Sequence, residues 1–558
     1  MSSSGRRAAV VLAVLFALVL VVGVTVESLS SRPSAGSGGG GTVRLIALND
    51  LHGNLEPPSG SSGRVTDDAG AEVEAGGAAF VAAHVRRLRE EVPASAVLST
   101  GDNVGASPLA SALFHDEPTV AVLESMGVAA SAAGNHEFDE GIAELRRVQR
   151  GGCHPTDGCR FTPSYDGAAF PILSANVTAG GDPALAASTV VEAGGTRVGV
   201  IGATLSELPD LVSPDGIRGL EVGDEVAAVD AASRALTAQG VRAQVLLLHQ
   251  GDETAGDAGP DACSVEPGGP ASRIAAAVSP DVDAVFSAHT HQQYSCAATD
   301  PAGNPRPLVQ GLSFGRLLSV VDLAVTGDGD VDRAATTARN EIVTRDVAPD
   351  PAVARLVDRA VAQSRPLAER PVGTVAAPLL RAADPSGLSP LGTVIADAQL
   401  AASRGDGAQL ALTNPGGVRA DLVPGAGGRV TYGQVYTVQP FGNILQTMTL
   451  TGAGLRAVLD QQFTVEDGPT VLQSSSNLRY TVAGNRVGEI TIGGTPVTDD
   501  GRYRVATNNF LSAGGDGFDT FTAGTELVGG PVDLDAVVSY LGAHPGLTAP
   551  PTDRIVRR

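Results

Sequence analysis

The chain reads as an α/β (α+β) protein built from two large domains. Three observations carry this reading. Its 558 residues exceed what one hydrophobic core ordinarily organises. From Thr42 onward, short runs rich in Val, Ile, Leu and Ala alternate with segments of helical periodicity, the pattern of strands connected by helices. Near Ala348 the composition changes, and Pro349-Asp350-Pro351 opens a separate helical stretch. Apolar residues make up 43%, aromatics only 4%, and Trp is absent, so both cores must be mainly aliphatic.

Ahead of the first domain, Arg6-Arg7 precede an apolar run from Ala8 to Val26, and a Gly/Ser-rich stretch follows from Ser34 to Gly41. The run is long for a signal-peptide core and lacks a clear Ala-x-Ala site, and its length approaches that of a spanning helix. Residues 1–41 are therefore read as a signal or membrane anchor with a flexible tether, an uncleaved anchor being preferred over a cleaved signal.

The first domain is expected over 42–347. Val43 to Leu48 is a strand, Ala78 to Glu91 an amphipathic helix, Ala96 to Ser99 a strand and Pro118 to Met126 a helix. Gly127 to Ala133 is a strand of small residues, and Ile142 to Val148 is helical. Between them lies Gly134-Asn135-His136-Glu137-Phe138-Asp139, at a strand-to-helix turn where open α/β sheets place ligand-binding groups. Asp139 is also placed to cap a helix starting near Glu140. Further strands are expected near Pro171 to Ser174, Arg197 to Ile201, Val245 to Leu248 and Val282 to Phe286, with helices at Val222 to Ala238 and Ile274 to Val278. Two closing strands fall between Leu317 and Thr344. A linker helix over 348–370 should end at Arg365-Pro366. The second domain, 371–558, carries a helix from Leu391 to Ala402, a strand from Gln409 to Thr413 and the turn Asn414-Pro415-Gly416-Gly417.

Net charge is −23 and Lys is absent. An acidic surface argues against a partner that is a nucleic-acid polymer, but not against a small anion met by bound metal. Four cysteines, Cys153 and Cys159 close together and Cys263 and Cys296 flanking a helix and strand, fit two disulfides in an oxidising compartment; no CxxC pair supports zinc.

Potential metal ligands recur at the strand ends. Asp50 and His52 follow the first strand, Asp102 the second, and Asn135 and His136 the third; His249 ends a fourth, and His289 and His291 follow a fifth. Five of the nine histidines fall at these positions, while His84, His115, His154 and His544 read as ordinary surface residues. Imidazole with carboxylate suits zinc, manganese, iron or cobalt better than calcium.

Asp-x-His, Gly-Asp, Gly-Asn-His-Glu, His and His-x-His, in this order, resemble the calcineurin-like metallophosphoesterase signature. In the second half, Asn414 through Asp421, Pro440-Phe441-Gly442-Asn443 and Phe510 through Asp516 resemble the C-terminal domain of 5'-nucleotidases. The resemblance implies a β-sandwich flanked by helices, followed by an α/β substrate domain. It implies two divalent metals (Zn, Mn, Co or Fe), one held by Asp50, His52, Asp102 and His291 and the other by Asp102, Asn135, His249 and His289. Two cations on one carboxylate acidify a shared water and clamp phosphoryl oxygens for in-line attack. His136 would face the phosphate and Asp139 would hold its ring; Asn103 would contact the phosphate region. Phe441 and Phe510 would sandwich a base, Asp516 would bind ribose hydroxyls, Asn443 would touch the base, and Arg419 and Arg381 would neutralise phosphate, with Asn414 and Gly417 in the same motif. One departure is Thr393, where the family commonly has Asn. The resemblance thus implies a hydrolase outside the cytoplasm acting on nucleoside 5'-monophosphates and, as in some members, on other 5'-nucleotides or UDP-sugars. A cyclic 2',3'-phosphodiesterase with 3'-nucleotidase activity, and a non-catalytic surface nucleotide-binding protein, are the rival readings.

Overall fold

The computed structural model describes residues 40–212, 216–255, 259–464 and 469–557. The expected anchor and tether over 1–41 lie outside them except for Gly40 and Gly41. No helix among the described residues is long and apolar enough to cross a membrane.

Two six-stranded sheets dominate the first half. In chain order the strands are β1 (Gly41–Leu48), β2 (Ser95–Ser99), β3 (Val128–Ala132), β4 (Ile172–Leu173), β5 (Ser188–Ala193), β6 (Thr196–Thr204), β7 (Ala243–His249), β8 (Ala284–Phe286), β9 (Gln293–Thr299), β10 (Pro305–Gly311), β11 (Leu317–Val325) and β12 (Thr337–Ile342). The first sheet runs β12-β11-β1-β2-β3-β4 and the second β9-β10-β8-β7-β6-β5. Within each, the central strands are parallel: β1 with β2 and β2 with β3, and likewise β6 with β7 and β7 with β8. The two sheets stack face to face. Leu45, Ala47, Leu98, Ala130 and Ala132 of the first meet Val198, Val245, Leu247 and Phe286 of the second in one apolar layer. Alternate residues of β1, Ile46 and Leu48, face the other way, into a layer with Val81, Val85 and Leu88 of α1 (Ala78–Glu91). Burial on both faces explains why these strands read as nearly continuous apolar runs.

The helices on the first sheet include α2 (Glu117–Met126) and α3 (Ile142–Arg150), and α4 (Glu225–Ala238) and α5 (Pro270–Ala277) cover the second. The start of α4 lies three residues later than expected, because Asp224 caps it by accepting from Ala227 N and Leu220–Val222 is a short strand. Pro270 sets the start of α5, at the first helical turn where proline fits. The expected linker is a docked helix, α6 (Pro351–Ala368), and Pro366 does not end it. Val353, Ala360 and Ser364 are buried, with the two apolar residues in the layer that covers the first sheet, and this packing outweighs the one backbone bond that Pro366 forgoes in the last turns. Two disulfides, Cys153–Cys159 and Cys263–Cys296, are present, and no free cysteine remains among the described residues.

The second half is organised by a five-stranded sheet. Its strands are β13 (Leu410–Thr413), β14 (Ile444–Thr451), β15 (Gln473–Ser474), β16 (Arg502–Asn508) and β17 (Thr525–Val532), in the order β15-β13-β16-β14-β17. The parallel pair β13 and β16 ends at Thr413 and Asn508, while antiparallel β14 begins at the same end, with Leu445 opposite Asn508. Three chain segments therefore converge there: Asn414 onward, Phe441–Asn443, and Phe510–Asp516. Ten of the fourteen residues of helix α7 (Pro390–Ser403) are buried, and α8 (Tyr432–Val438) carries a capping box between Thr431 and Gln434.

Candidate active site

The central parallel strands of the sandwich finish on one rim, and the residues just past them form the site. Asp50, His52, Asp102, Asn135 and His249 are buried, and His289 and His291 are half-buried. Two sets of ligand atoms result. In one, His52 Nε2 lies 3.2 Å from His291 Nε2, which is 3.6 Å from Asp50 Oδ1. In the other, His249 Nε2 lies 3.2 Å from Asp102 Oδ2 and 3.2 Å from Asn135 Oδ1, and His289 Nδ1 is 3.0 Å from the same Asn135 oxygen. Asp102 Oδ2 is also 3.6 Å from His52 Nε2, so this carboxylate stands between the sets.

The outer hydrogen bonds fix which nitrogens face inward. His52 Nδ1 donates to the Gly105 carbonyl at 3.0 Å and His249 Nδ1 to the Thr100 carbonyl at 2.8 Å, which turns both Nε2 atoms inward toward the carboxylates. Ring nitrogens and carboxylate oxygens brought this close repel one another unless protons or cations lie among them, and burial makes His52, His289 and His291 poor proton carriers. The residues therefore fit two divalent cations bound by nitrogen and oxygen.

The backbone is arranged for this purpose. Asp50, His52, Asp102, His289 and His291 all have positive φ, between 45° and 74°. Each such residue carries a strain of roughly 1 kcal/mol or more, of the kind concentrated at functional sites. Bonds from Asp50 N to Gly101 O (3.0 Å) and from His52 N to Asp102 O (2.9 Å) tie the loops after β1 and β2 together. Gly134 lets the loop after β3 approach them. A Cβ there would collide with Asp102 Oδ1 and lie 2.6 Å from His249 Cε1.

Glu137 proves to be the anchor of this arrangement. Its carboxylate accepts from Asp102 N at 2.8 Å, Asn103 N at 2.9 Å and Gly134 N at 2.6 Å. Burial and the neighbouring Asp102 charge push its carboxyl up to about 7, against the pull of these donors. Phe138 is fully buried in the core beside it. Nothing in the sequence pattern reveals a side chain whose partners are backbone amides.

His136 donates from its backbone N to Asp102 Oδ1 at 2.9 Å, and its ring Nδ1 lies 2.8 Å from Asp139 Oδ2. Burial works to lower its pKa, but the Asp139 and Asp102 carboxylates outweigh it, so the ring is held above the ordinary histidine range. One atom each of His52, Asp102 and His136 also falls within 4.8 Å of the others, which places His136 over the central carboxylate. Asp139 does not cap α3, because that helix starts at Ile142 with Gly141 as its cap. Asn103 is turned inward, accepting from Ser99 Oγ at 2.6 Å and donating to Ser131 Oγ at 2.9 Å, and does not line the adjoining cleft. His84 is buried with Nε2 3.2 Å from the Thr344 carbonyl, and His115 and His154 stack on each other at 3.7 Å, so three of the four remaining histidines are not ordinary surface residues.

A cleft of about 400 Å³ runs from this centre to the end of the five-stranded sheet of the second half. Its lining includes Asn135, His136 and His289 on one side and Asn414, Gly417, Arg419, Phe441, Asn443, Phe510 and Asp516 on the other. Arg419 Nη2 is 3.3 Å from His52 Nε2, and its guanidinium lies over the Phe441 ring at 5.8 Å. Phe441 stacks on His136, with centroids 5.5 Å apart and planes at 21°. The Phe510 ring lies against Gly515, where a Cβ would come within 2.5 Å of Cζ. Asp516 accepts from Asn414 Nδ2 at 2.8 Å, and Asn414 Oδ1 accepts from Asn508 Nδ2 at 3.1 Å. Burial lifts the Asp516 carboxyl to about 6, with the Asn414 bond and the Arg419 charge opposing. Arg381 stands behind Arg419, with Nη1 3.5 Å from the Arg419 carbonyl, and does not line the cleft. Thr393 is fully buried, and its hydroxyl donates to Pro390 O at 2.8 Å, so that departure also lies off the cleft. Two lining residues escaped the sequence pattern: Leu211 from the first half, and Asn509, whose Oδ1 accepts from Ile444 N.

Residues 43–293 match the family model described as calcineurin-like phosphoesterase, and residues 371–523 match the 5'-nucleotidase C-terminal domain. The chain is similar to an endonuclease of Bacillus subtilis, 31% identical over 89% of this chain and 39% of the relative. It is 29% identical to a cell wall protein of Listeria monocytogenes over 89% of this chain and 67% of that protein. The chain thus spans about two-fifths of the first relative and two-thirds of the second. Among solved structures it resembles a 5'-nucleotidase precursor from Thermus thermophilus, with TM-score 0.77 and 26% identity over 92% of this chain and 99% of the other.

Proposed function

Because the chain belongs to the 5'-nucleotidase family, a family of enzymes that joins a calcineurin-like phosphoesterase domain to a 5'-nucleotidase C-terminal domain, we propose that it releases phosphate from nucleoside 5'-monophosphates outside the cytoplasm. One observation carries the reading: a single cleft is lined by His136, Asn135 and His289 at one side and by Phe441, Phe510 and Asp516 at the other. A phosphate beside the first group leaves a nucleoside against the second. The reading divides the chain into 42–347 for phosphate chemistry, 348–370 as a connecting helix and 371–558 for nucleoside binding. Two disulfides support an oxidising compartment, and the cell wall relative agrees with it. A net charge of −23 argues against a nucleic-acid polymer, although one relative is named an endonuclease.

Asp50, His52, Asp102 and His291 would hold one divalent cation, and Asp102, Asn135, His249 and His289 the other, with zinc, manganese, cobalt or iron fitting these donors. When bound, such a pair supplies Lewis acidity and an acidified water. The remaining work falls to side chains. Arg419 meets the phosphoryl charge from the second domain, with Arg381 adding positive charge behind it. As water oxygen bonds to phosphorus and the P–O bond to the nucleoside breaks, protonated His136, held by Asp139, stabilises the developing negative charge or delivers a proton to the leaving oxygen. Phe441 and Phe510 give the base flat faces to stack on, Asn443 borders it, and Asp516, oriented by Asn414, accepts from the ribose hydroxyls. Gly417 keeps its turn free of a side chain next to Asn414.

The test compares phosphate release from 5'-AMP, 3'-AMP and cyclic 2',3'-AMP at one defined metal. The 5'-ester should turn over fastest. Faster turnover of the other two would replace this reading with the cyclic phosphodiesterase, and none on any nucleotide would leave a binding protein.

A further inference from the structure

A second cavity, of about 140 Å³, adjoins His136 and Asp139 and is lined by none of the seven residues assigned to the metal pair. His115, Asp116, Glu140 and Glu144 bring one imidazole and three carboxylates to it. His115 Nδ1 is shut off from solvent and has no hydrogen-bond partner; the carboxylate oxygen Glu140 Oε2 stands 3.6 Å away. One ligand atom each from His115, Glu140 and Glu144 lies within 4.8 Å of the other two. Asp116 is 9% exposed. Its Oδ2 accepts from Gly105 N at 3.0 Å, but Oδ1 is buried and accepts no hydrogen bond.

The surroundings aim the His115 ring at this cavity. On its far side Nε2 lies 3.0 Å from Asp157 Oδ2, in the loop closed by Cys153–Cys159, and His154 of that loop stacks on the ring at 3.7 Å. In the neutral ring with Nε2–H donating to Asp157, Nδ1 offers a lone pair to the cavity, the order of carboxylate, imidazole and metal found behind ligating histidines; in the cationic ring, which the neighbouring Glu140 and Asp157 carboxylates favour, Nδ1 carries a proton instead. Glu144 is held in place by Arg147, which donates to both its oxygens at 2.8–2.9 Å and leaves further lone pairs on each. His115 and Asp116 have φ of 51° and 58°, the same left-handed backbone that presents the ligands of the metal pair. A solvent-shielded ring nitrogen facing carboxylate oxygens calls for either a cation or a proton.

We propose that this pocket is a third divalent-cation site, distinct from the metal pair, with His115 Nδ1, Glu140 and Glu144 as ligands and Asp116 in the same lining. Mixed imidazole and carboxylate donors select a borderline transition metal such as Zn²⁺, Mn²⁺ or Co²⁺. Glu140 directly follows Asp139, so the ion would also pin the segment that holds His136.

The test is equilibrium dialysis of the full chain against Zn²⁺ alone, with bound metal measured by mass spectrometry. The native chain should bind three equivalents. His115→Gln should bind two, and so should Glu140→Gln, whose half-exposed side chain makes loss of folding no explanation. Asp102→Ala should keep the third equivalent while losing the pair, which separates this proposal from the assignment of the catalytic centre. Two equivalents in the native chain, or a third retained by both Gln variants, would mean that His115 is simply protonated between Glu140 and Asp157, and the site would be withdrawn.

Discussion

Replacing Glu137 by Gln probes the anchor of the metal-binding loops with the smallest possible change. In the native chain Oε2 receives Asp102 N (2.8 Å) and Gly134 N (2.6 Å), and Oε1 receives Asn103 N (2.9 Å). A glutamine keeps one oxygen, best used on the side with two donors, and turns its NH₂ toward Asn103 N. One charge-assisted bond is lost, at about 1.5–3 kcal/mol, and a buried N–H is left facing another donor, at about 1–3 kcal/mol more. The loops strained by this loss carry Asp102 and Asn135. The cost should therefore surface mainly as weaker metal binding, by about 10–100-fold, equivalent to about 1.4–2.8 kcal/mol. Chelator competition at pH 8, above the value near 7 at which Glu137 takes up a proton, measures it. A variant that keeps its fold and binds metal within twofold of the native chain would refute the reasoning.

Three further outcomes are expected. His136→Ala should retain its metal equivalents and lose about 10²–10⁴ in kcat, since general acid–base groups contribute that much; unchanged turnover would remove His136 from the reaction. Burial lifts the Asp516 carboxyl to about 6, and its ionised form is the stronger acceptor for the ribose hydroxyls it is proposed to bind, so KM for 5'-AMP should rise as pH falls through about 6 and stay flat above it. Asn414→Ala removes a donor that favours the ionised form and should move that limb to higher pH, and a limb that stays put would detach Asp516 from the substrate. Loss of Cys263–Cys296, which spans 33 residues, should destabilise by roughly 4 kcal/mol, and loss of Cys153–Cys159, spanning 6, by roughly 2 kcal/mol. Thermal unfolding of Cys→Ser pairs checks that order, and the reverse order would show that loop closure is not the main source of their stabilisation.

The strands and the ligand types at their ends were legible because both-face burial writes itself as apolar runs and because imidazole and carboxylate are conspicuous after them. What escaped the sequence was direction. Asn103 follows the central carboxylate in sequence, yet its amide points into the sheet. Of the two roles readable for Asp139, the hold on His136 is present, while the helix cap is not, because the helix starts later at Ile142. Glu137 had no visible partner, since its partners are main-chain amides of two other segments. Arg381 and Arg419 looked alike in sequence, and only the fold sets one behind the other. The stretch around Pro366 carried a helix-ending signal that tertiary burial overrode. Leu211 could not be found by local pattern, because it reaches the cleft from the other half of the chain.

The left-handed backbone at five of the proposed ligand positions bears on any attempt to re-engineer the centre. At positions 50, 52, 102, 289 and 291 the allowed alphabet is filtered by conformation before coordination is tested, and it narrows toward Asp, Asn, His and Gly. Mutant libraries that explore β-branched or bulky ligands there will consist largely of misfolded loops. Asn135, with φ of −71°, and His249, within β7, carry no such filter. A change of metal preference is therefore best sought at these two positions, both of which the proposed assignment gives to the same cation.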